Sequence, residues 1–158
     1  MNQKPTFDNN NYIENSSFTI LCVDDSSSIL DLLKIFLEKD YRVQVKTCKS
    51  ADLALQVLDR DDINLIISDY IMPGVNGIEL YNQVHLKKQQ TPFIFYTSSP
   101  VEEINKKMDG NVSTLYYVQK WGPIYPHIEK INKIIKNLIS SLHPDVHIDT
   151  SNRESTSV

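Results

Sequence analysis

Five polar residues stand where runs of apolar residues end. Asp24 and Asp25 follow Ile20-Leu21-Cys22-Val23, and Asp69 follows Leu65-Ile66-Ile67-Ser68. Thr97 follows Phe93-Ile94-Phe95-Tyr96, and Lys120 follows Leu115-Tyr116-Tyr117-Val118 after one intervening Gln. If each run is a strand of one parallel sheet, all five residues gather at the same edge, where such sheets bind their ligands. Three carboxylates brought together cannot all stay charged without a cation. The simplest occupant is a hard divalent metal such as Mg²⁺, which prefers oxygen donors. A hydroxyl and an ammonium beside that metal suit a phosphoryl group.

The elements that must position these residues alternate along the chain. A first strand covers about 18–23, and Ser26, Ser27 and Ser28 can cap the helix after it. That helix carries Ile29, Leu32, Leu33, Phe36 and Leu37 at i, i+3, i+4, i+7, i+8 spacing. Arg42-Val43-Gln44-Val45-Lys46 alternates polar with apolar, which predicts a second strand at the sheet edge. Ser50 opens a second helix, with Leu53, Ala54, Val57 and Leu58 expected on its core face. The near-continuous apolar run 63–68 predicts a central parallel strand. Asn76 with Glu79 resembles a capping pair for a third helix reaching about Lys88. The fourth strand is expected over 92–97. Ser99-Pro100-Val101-Glu102 then reads as a helix start with Ser as the cap and Pro first in the helix. A fifth strand at 115–118 precedes a helix from about Pro123 to Leu142, with Ile124, Ile128, Ile131, Ile135, Leu138 and Leu142 as its stripe. Five βα units predict an α/β fold: a doubly wound, five-stranded parallel sheet with helices on both faces. Right-handed crossovers and an edge position for the second strand give the order 2-1-3-4-5.

Size and charge bound the rest. The chain has 158 residues, which suits one domain with short tails. The expected division is a flexible segment at 1–17, a domain at 18–142 and a flexible, Ser/Thr-rich tail at 143–158. The formal net charge of −4 argues against nucleic-acid binding by bulk electrostatics. Lys130, Lys133 and Lys136 are expected to form a solvated helix face. Cys22 and Cys48 show no disulfide or metal spacing and are expected as small core residues in a reducing compartment. His85, His127, His143 and His147 show no ligand spacing. No segment reaches the roughly 20 apolar residues of a membrane span and no signal peptide is visible, so a cytoplasmic protein is expected.

The motifs resemble one known family, the receiver (response-regulator) domains of two-component signalling, with the flavodoxin-like fold of chemotaxis regulators. The matching segments are Val23-Asp24-Asp25-Ser26, the stretch Asp69-Tyr70-Ile71-Met72-Pro73-Gly74-Val75-Asn76-Gly77, then Tyr96-Thr97-Ser98, and Tyr117-Val118-Gln119-Lys120. They span roughly Phe18 to Leu142. The resemblance implies that Asp69 is the phosphoacceptor and that Asp24, Asp25, Asp69 and the backbone carbonyl of Ile71 hold Mg²⁺. It implies that Thr97 and Lys120 bind phosphoryl oxygens, with Lys120 on Asp69 when no phosphate is present. It implies that Tyr117 is the aromatic that moves with Thr97. A sensor histidine kinase is the implied donor and a downstream effector protein the implied target, with no nucleic acid or membrane partner. A homodimer through the fourth helix, fifth strand and fifth helix is a further expectation. The chain would catalyse only its own phosphorylation and dephosphorylation.

One departure is visible. Receivers usually carry Pro directly after the site Lys, whereas Lys120 precedes Trp121-Gly122-Pro123. The turn into the last helix is therefore expected to differ, with Trp121 exposed beside the site. With no output domain visible after residue 142, the first expectation is a stand-alone regulator that signals through protein contact or phosphotransfer. A non-phosphorylated pseudo-receiver is the competing reading. A haloacid-dehalogenase-type phosphatase is a third, but it wants a second Asp where Ile71 stands.

Overall fold

Every apolar run singled out in the sequence is a strand, and each is followed by a helix. The computed structural model describes residues 18–39, 43–87, 90–108 and 115–142. The tails expected at 1–17 and 143–158 lie outside the described residues. The order is β1 (Phe18–Val23), α1 (Ser27–Leu37), β2 (Val43–Cys48), α2 (Ala51–Leu58) and β3 (Leu65–Ser68). It continues with α3 (Gly77–Lys87), β4 (Phe93–Thr97), α4 (Val101–Lys107), β5 (Leu115–Gln119) and α5 (Ile124–Leu142). All strand pairs are parallel, in the order β2-β1-β3-β4-β5. Val23, the last residue of β1, pairs with Cys48 on one side and Ser68 on the other. The strand ends are thereby aligned, and the residues just beyond them share one edge.

The sheet separates two cores. Successive side chains of a strand face opposite ways. Phe18, Ile20 and Cys22 of β1 pack with Leu30, Leu33 and Leu37 of α1 and with Ile128, Ile131, Ile135 and Ile139 of α5. Leu21 and Val23 pack on the other face with Ala51, Ala54 and Leu58 of α2 and with Ile78, Leu80 and Val84 of α3. This double burial is why β1, β3 and β4 read as unbroken apolar runs, whereas edge strand β2 alternates. Among the described residues no helix is long and apolar enough to cross a membrane.

Two helix faces differ from the sequence reading in the same way. The buried sets are Leu30, Leu33, Leu37 and Ala51, Ala54, Leu58, each at i, i+3, i+7. Leu32 and Leu53 are exposed instead. Each lies two residues past the start of its buried set, roughly 200° round the helix at 100° per residue. Packing is set by where the sheet lies, so small Ala51 and Ala54 take the contact that Leu53 would claim by hydrophobicity alone.

The caps also sort themselves. Asn76 and Glu79 form the expected reciprocal box: Asn76 Oδ1 accepts from the amides of Ile78 and Glu79, each at 3.0 Å, and Glu79 Oε2 accepts from the Asn76 amide at 3.3 Å. Ser50 Oγ accepts from the Leu53 amide at 3.3 Å. Ser26 flanks α1 without capping it through its side chain. In α4 the cap position is Pro100, not Ser99. The Ser99 backbone amide donates to Thr97 Oγ1 at 3.3 Å, a local turn that holds the strand-end hydroxyl.

Candidate functional site

The aligned strand ends bring the sequence-selected residues to one edge. Asp24 and Asp25 follow β1, Asp69 follows β3, Thr97 ends β4 and Lys120 follows β5. Backbone bonds beyond the strands hold these positions: the Asp24 amide donates to Cys48 O at 3.1 Å, that of Asp69 to Val23 O at 2.9 Å and that of Lys120 to Thr97 O at 2.9 Å. Asp24 and Thr97 are buried, Asp69 and Lys120 are half-buried, and Asp25 is exposed.

Lys120 is the hub. Its ammonium donates to Asp24 Oδ2 at 2.5 Å and to Asp69 Oδ2 at 2.8 Å. The pairing with Asp69 follows the sequence expectation. The shorter bond to Asp24 was not legible, because nothing in the spacing says how far the ammonium reaches past Asp69. The remaining carboxylate oxygens are fixed by backbone. Asp24 Oδ1 accepts from the Ser26 amide at 2.9 Å, and Asp69 Oδ1 from the Tyr70 amide at 2.6 Å. Burial pushes the Asp24 carboxyl above its ordinary range, and the Lys120 ammonium only partly offsets this.

One carboxylate oxygen from each of Asp24, Asp25 and Asp69 lies within 4.8 Å of the other two. Asp24, Asp25 and Asp69 are thus close enough that together they would hold one hard divalent ion, which would supply positive charge at this edge. The donors are all hard oxygens, which fits Mg²⁺ and offers nothing to a softer metal. Ile71, two residues beyond Asp69, sits in the β3–α3 loop with its side chain exposed.

That loop depends on two glycines. Gly74 has φ +78°, a left-handed conformation that disfavours a side chain. Gly77 is needed for space: a Cβ there would run into the backbone of Asp69 and Tyr70. Gly77→Ala is therefore expected to force the loop outward. Urea unfolding should show a loss of roughly 1–3 kcal/mol, and Mg²⁺ affinity should fall with it. Unchanged stability and affinity would refute the packing argument.

Tyr117 of β5 is half-buried, its ring stacked on Phe95 at 5.9 Å and its hydroxyl donating to Asn105 Oδ1 of α4 at 2.8 Å. It therefore links β5 to α4 rather than touching the acidic cluster. Trp121 is exposed, as expected, but it is tethered: its indole N–H donates to Ser98 O at 2.9 Å. His127, given no role by its spacing, is buried and bridges Tyr96 and Trp121. It lies four residues before Ile131 on the buried face of α5, but its bonding was not legible, because its partners are a tyrosine hydroxyl and a backbone carbonyl.

This five-stranded parallel sheet, with an acidic cluster and a lysine at its carboxyl edge, is the architecture of a receiver domain. The chain belongs to the response regulator receiver domain family, whose model matches residues 20–120, and the family places it in two-component signalling. It is 42% identical over 82 residues to the two-component response regulator ARR14 of Arabidopsis thaliana, covering 50% of this chain and 21% of that protein. With the transcriptional regulatory protein ResD of Bacillus subtilis identity is 34% over 101 residues, covering 64% of this chain and 41% of that one. The chain thus spans about a fifth and about two fifths of the length of these relatives. Among solved structures, TrrA of Thermotoga maritima in complex with Mg(2+)-BeF matches with a TM-score of 0.65 and 25% identity, covering 77% of this chain and 98% of that one. The signal receiver domain of an HD domain-containing protein from Pseudomonas fluorescens shares the fold, with a TM-score of 0.67 and 24% identity, covering 81% of this chain and 98% of that chain.

Proposed function

We propose that residues 18–142 form a phosphoacceptor receiver that takes a phosphoryl group onto Asp69 from a histidine kinase. The observation that carries this reading is the bridging of Asp24 and Asp69 by Lys120, beside Asp25 in a cluster of three carboxylates. Asp24, Asp25, Asp69 and the Ile71 carbonyl would hold Mg²⁺, which when bound neutralises charge on the phosphoryl oxygens. The remaining work falls to the chain. Once Lys120 moves off Asp69 Oδ2, that oxygen attacks phosphorus, the donor's P–N bond breaks and the imidazole departs with its electron pair. The product is an aspartyl phosphate, a mixed anhydride that water later cleaves. Lys120 swings from Asp24 to a phosphoryl oxygen, and the Thr97 hydroxyl donates to another. Movement of Thr97 is passed to Tyr117 and Asn105, altering the face formed by α4, β5 and α5, which an effector protein or a second copy reads. A cytoplasmic setting with a kinase donor suits this role. The test is incubation of the full chain with acetyl phosphate and Mg²⁺, followed by intact-mass measurement. One added phosphoryl group supports the reading, and none in the presence of Mg²⁺ overturns it.

The raised Asp24 carboxyl gives a pH prediction. The metal needs the ionised carboxylate, so protons compete with Mg²⁺ at pH values above the ordinary Asp value of 3.8. Mg²⁺ affinity is expected to decline as pH falls from neutral toward the raised Asp24 value, before the ordinary 3.8 is reached. For the metal-free fold the sign is opposite to that of a salt-bridged Asp. The folded state keeps its proton longer than the unfolded one, so stability falls as pH rises from 3.8 through the raised folded value. Calorimetric titration across this range checks the first, and urea unfolding without metal checks the second. Flat profiles would contradict both.

A further inference from the structure

The turn after Lys120 is fastened more heavily than its exposure requires. Trp121 is 67% exposed, yet it is bonded at both ends. Its indole N–H donates to the Ser98 carbonyl at 2.9 Å, and its own carbonyl accepts from His127 Nε2 at 2.7 Å. Gly122 follows with φ +82°, turning the chain into α5. His127 is 6% exposed, and its Nδ1 lies 3.2 Å from the Tyr96 hydroxyl. A carbonyl only accepts, so Nε2 carries the hydrogen and Nδ1 accepts from Tyr96. The Tyr96 phenol keeps its proton: burial and the charges of Asp24 and Asp69 push its pKa up to about 12. The Tyr96 ring in turn lies under the Lys120 ammonium, 5.1 Å from its centre. The contacts close a circuit from Lys120 through Trp121, His127 and Tyr96 back to Lys120.

We propose that Trp121 and His127 are positioning residues for Lys120, clamping the β5–α5 turn onto the β4–α4 loop so that the ammonium and Thr97 move together. The Lys120 ammonium hangs on four flexible carbons, so its place is set at both ends, by Asp24 and Asp69 at the ammonium and by the backbone of the turn from which the stem starts. The Lys120 amide is bonded to Thr97 and the next side chain to Ser98. Any shift of Thr97 toward a phosphoryl group on Asp69 therefore pulls on the residue after Lys120. The proposal rests on the reading of Asp69 as phosphoacceptor, but the location of the ammonium can be tested without it.

Three variants of the full chain separate positioning from bulk structure. Trp121→Phe keeps an aromatic ring and removes the N–H donor at an exposed site. His127→Phe keeps a ring and removes both bonds. His127→Gln retains a side-chain N–H that can reach the Trp121 carbonyl. The first readout is the Lys120 ammonium resonance by nitrogen-resolved NMR without phosphate. The second is the rate of phosphate uptake from acetyl phosphate at saturating Mg²⁺. The wild-type ammonium should be resolved and protected from solvent exchange. In His127→Phe and Trp121→Phe it should be lost to exchange, with uptake slowed about tenfold and Mg²⁺ affinity unchanged or raised rather than lowered. His127→Gln should recover most of both signals. Unchanged ammonium signals in Trp121→Phe and His127→Phe would overturn the proposal. So would equal damage in His127→Gln and His127→Phe, or a fall in Mg²⁺ affinity that tracks the rate. If the wild type takes up no phosphate, the reading of Asp69 fails and the NMR comparison alone decides the positioning role.

Discussion

Asp69→Asn is expected to abolish phosphate uptake while leaving the fold intact. The amide is nearly the same size and can still accept from the Tyr70 amide, as Asp69 Oδ1 does at 2.6 Å. It cannot act as a nucleophile of comparable strength or form the same mixed anhydride. It also removes one of the three carboxylates in the cluster, so Mg²⁺ affinity should fall by roughly tenfold or more. Incubated beside the wild type with acetyl phosphate and Mg²⁺, the variant should show no added phosphoryl mass and a circular dichroism spectrum like the parent's. A phosphoryl group retained on the variant would place the acceptor elsewhere and refute the assignment.

Lys120→Ala is expected to move two properties in opposite directions. In the parent the ammonium joins Asp24 and Asp69, with side-chain exposures of 12%, 2% and 15% for Lys120, Asp24 and Asp69. Removing it takes a positive charge from beside the metal ligands, so Mg²⁺ at neutral pH should bind more tightly, by roughly tenfold. The phosphoryl oxygens lose a donor at the same time, which typically costs on the order of 10²–10³ in rate. Without metal the variant should be less stable by about 3–5 kcal/mol, because Asp24 is left buried without its partner. Added Mg²⁺ should restore much of that loss. Tighter metal with slower phosphate uptake is the signature. Weaker metal, or an unchanged rate, would mean that Lys120 does not serve the transferring group.

The acidic cluster was legible because a parallel sheet converts sequence order into a common edge. Once Asp24, Asp25, Asp69, Thr97 and Lys120 each ended an apolar run, topology brought them together. Strand β2 could be set at the edge from its alternation. Helix faces were less legible, because hydrophobicity marks Leu32 and Leu53 as strongly as the buried Leu33 and Leu58. Only the position of the sheet tells them apart. Interactions through backbone carbonyls escaped the sequence altogether. The bonds from Trp121 to Ser98 and from His127 to Trp121 depend on backbone atoms that every residue carries. The role of Gly77 was only half visible. Its freedom could be read from its type, but the collision with Asp69 that it avoids depends on the loop's path.

The central claim is that one carboxylate of the cluster takes the phosphoryl group while its neighbours hold the ion. Crystals of the full chain grown with Mg²⁺ and beryllofluoride test this most directly. The expected density is a beryllofluoride on an Asp69 oxygen, an ion ligated by Asp24, Asp25 and Asp69, and contacts from Lys120 and Thr97 to the fluorines. If Lys120 still spans Asp24 and Asp69 at saturating Mg²⁺ and beryllofluoride, with neither ion nor mimic bound, the account is wrong.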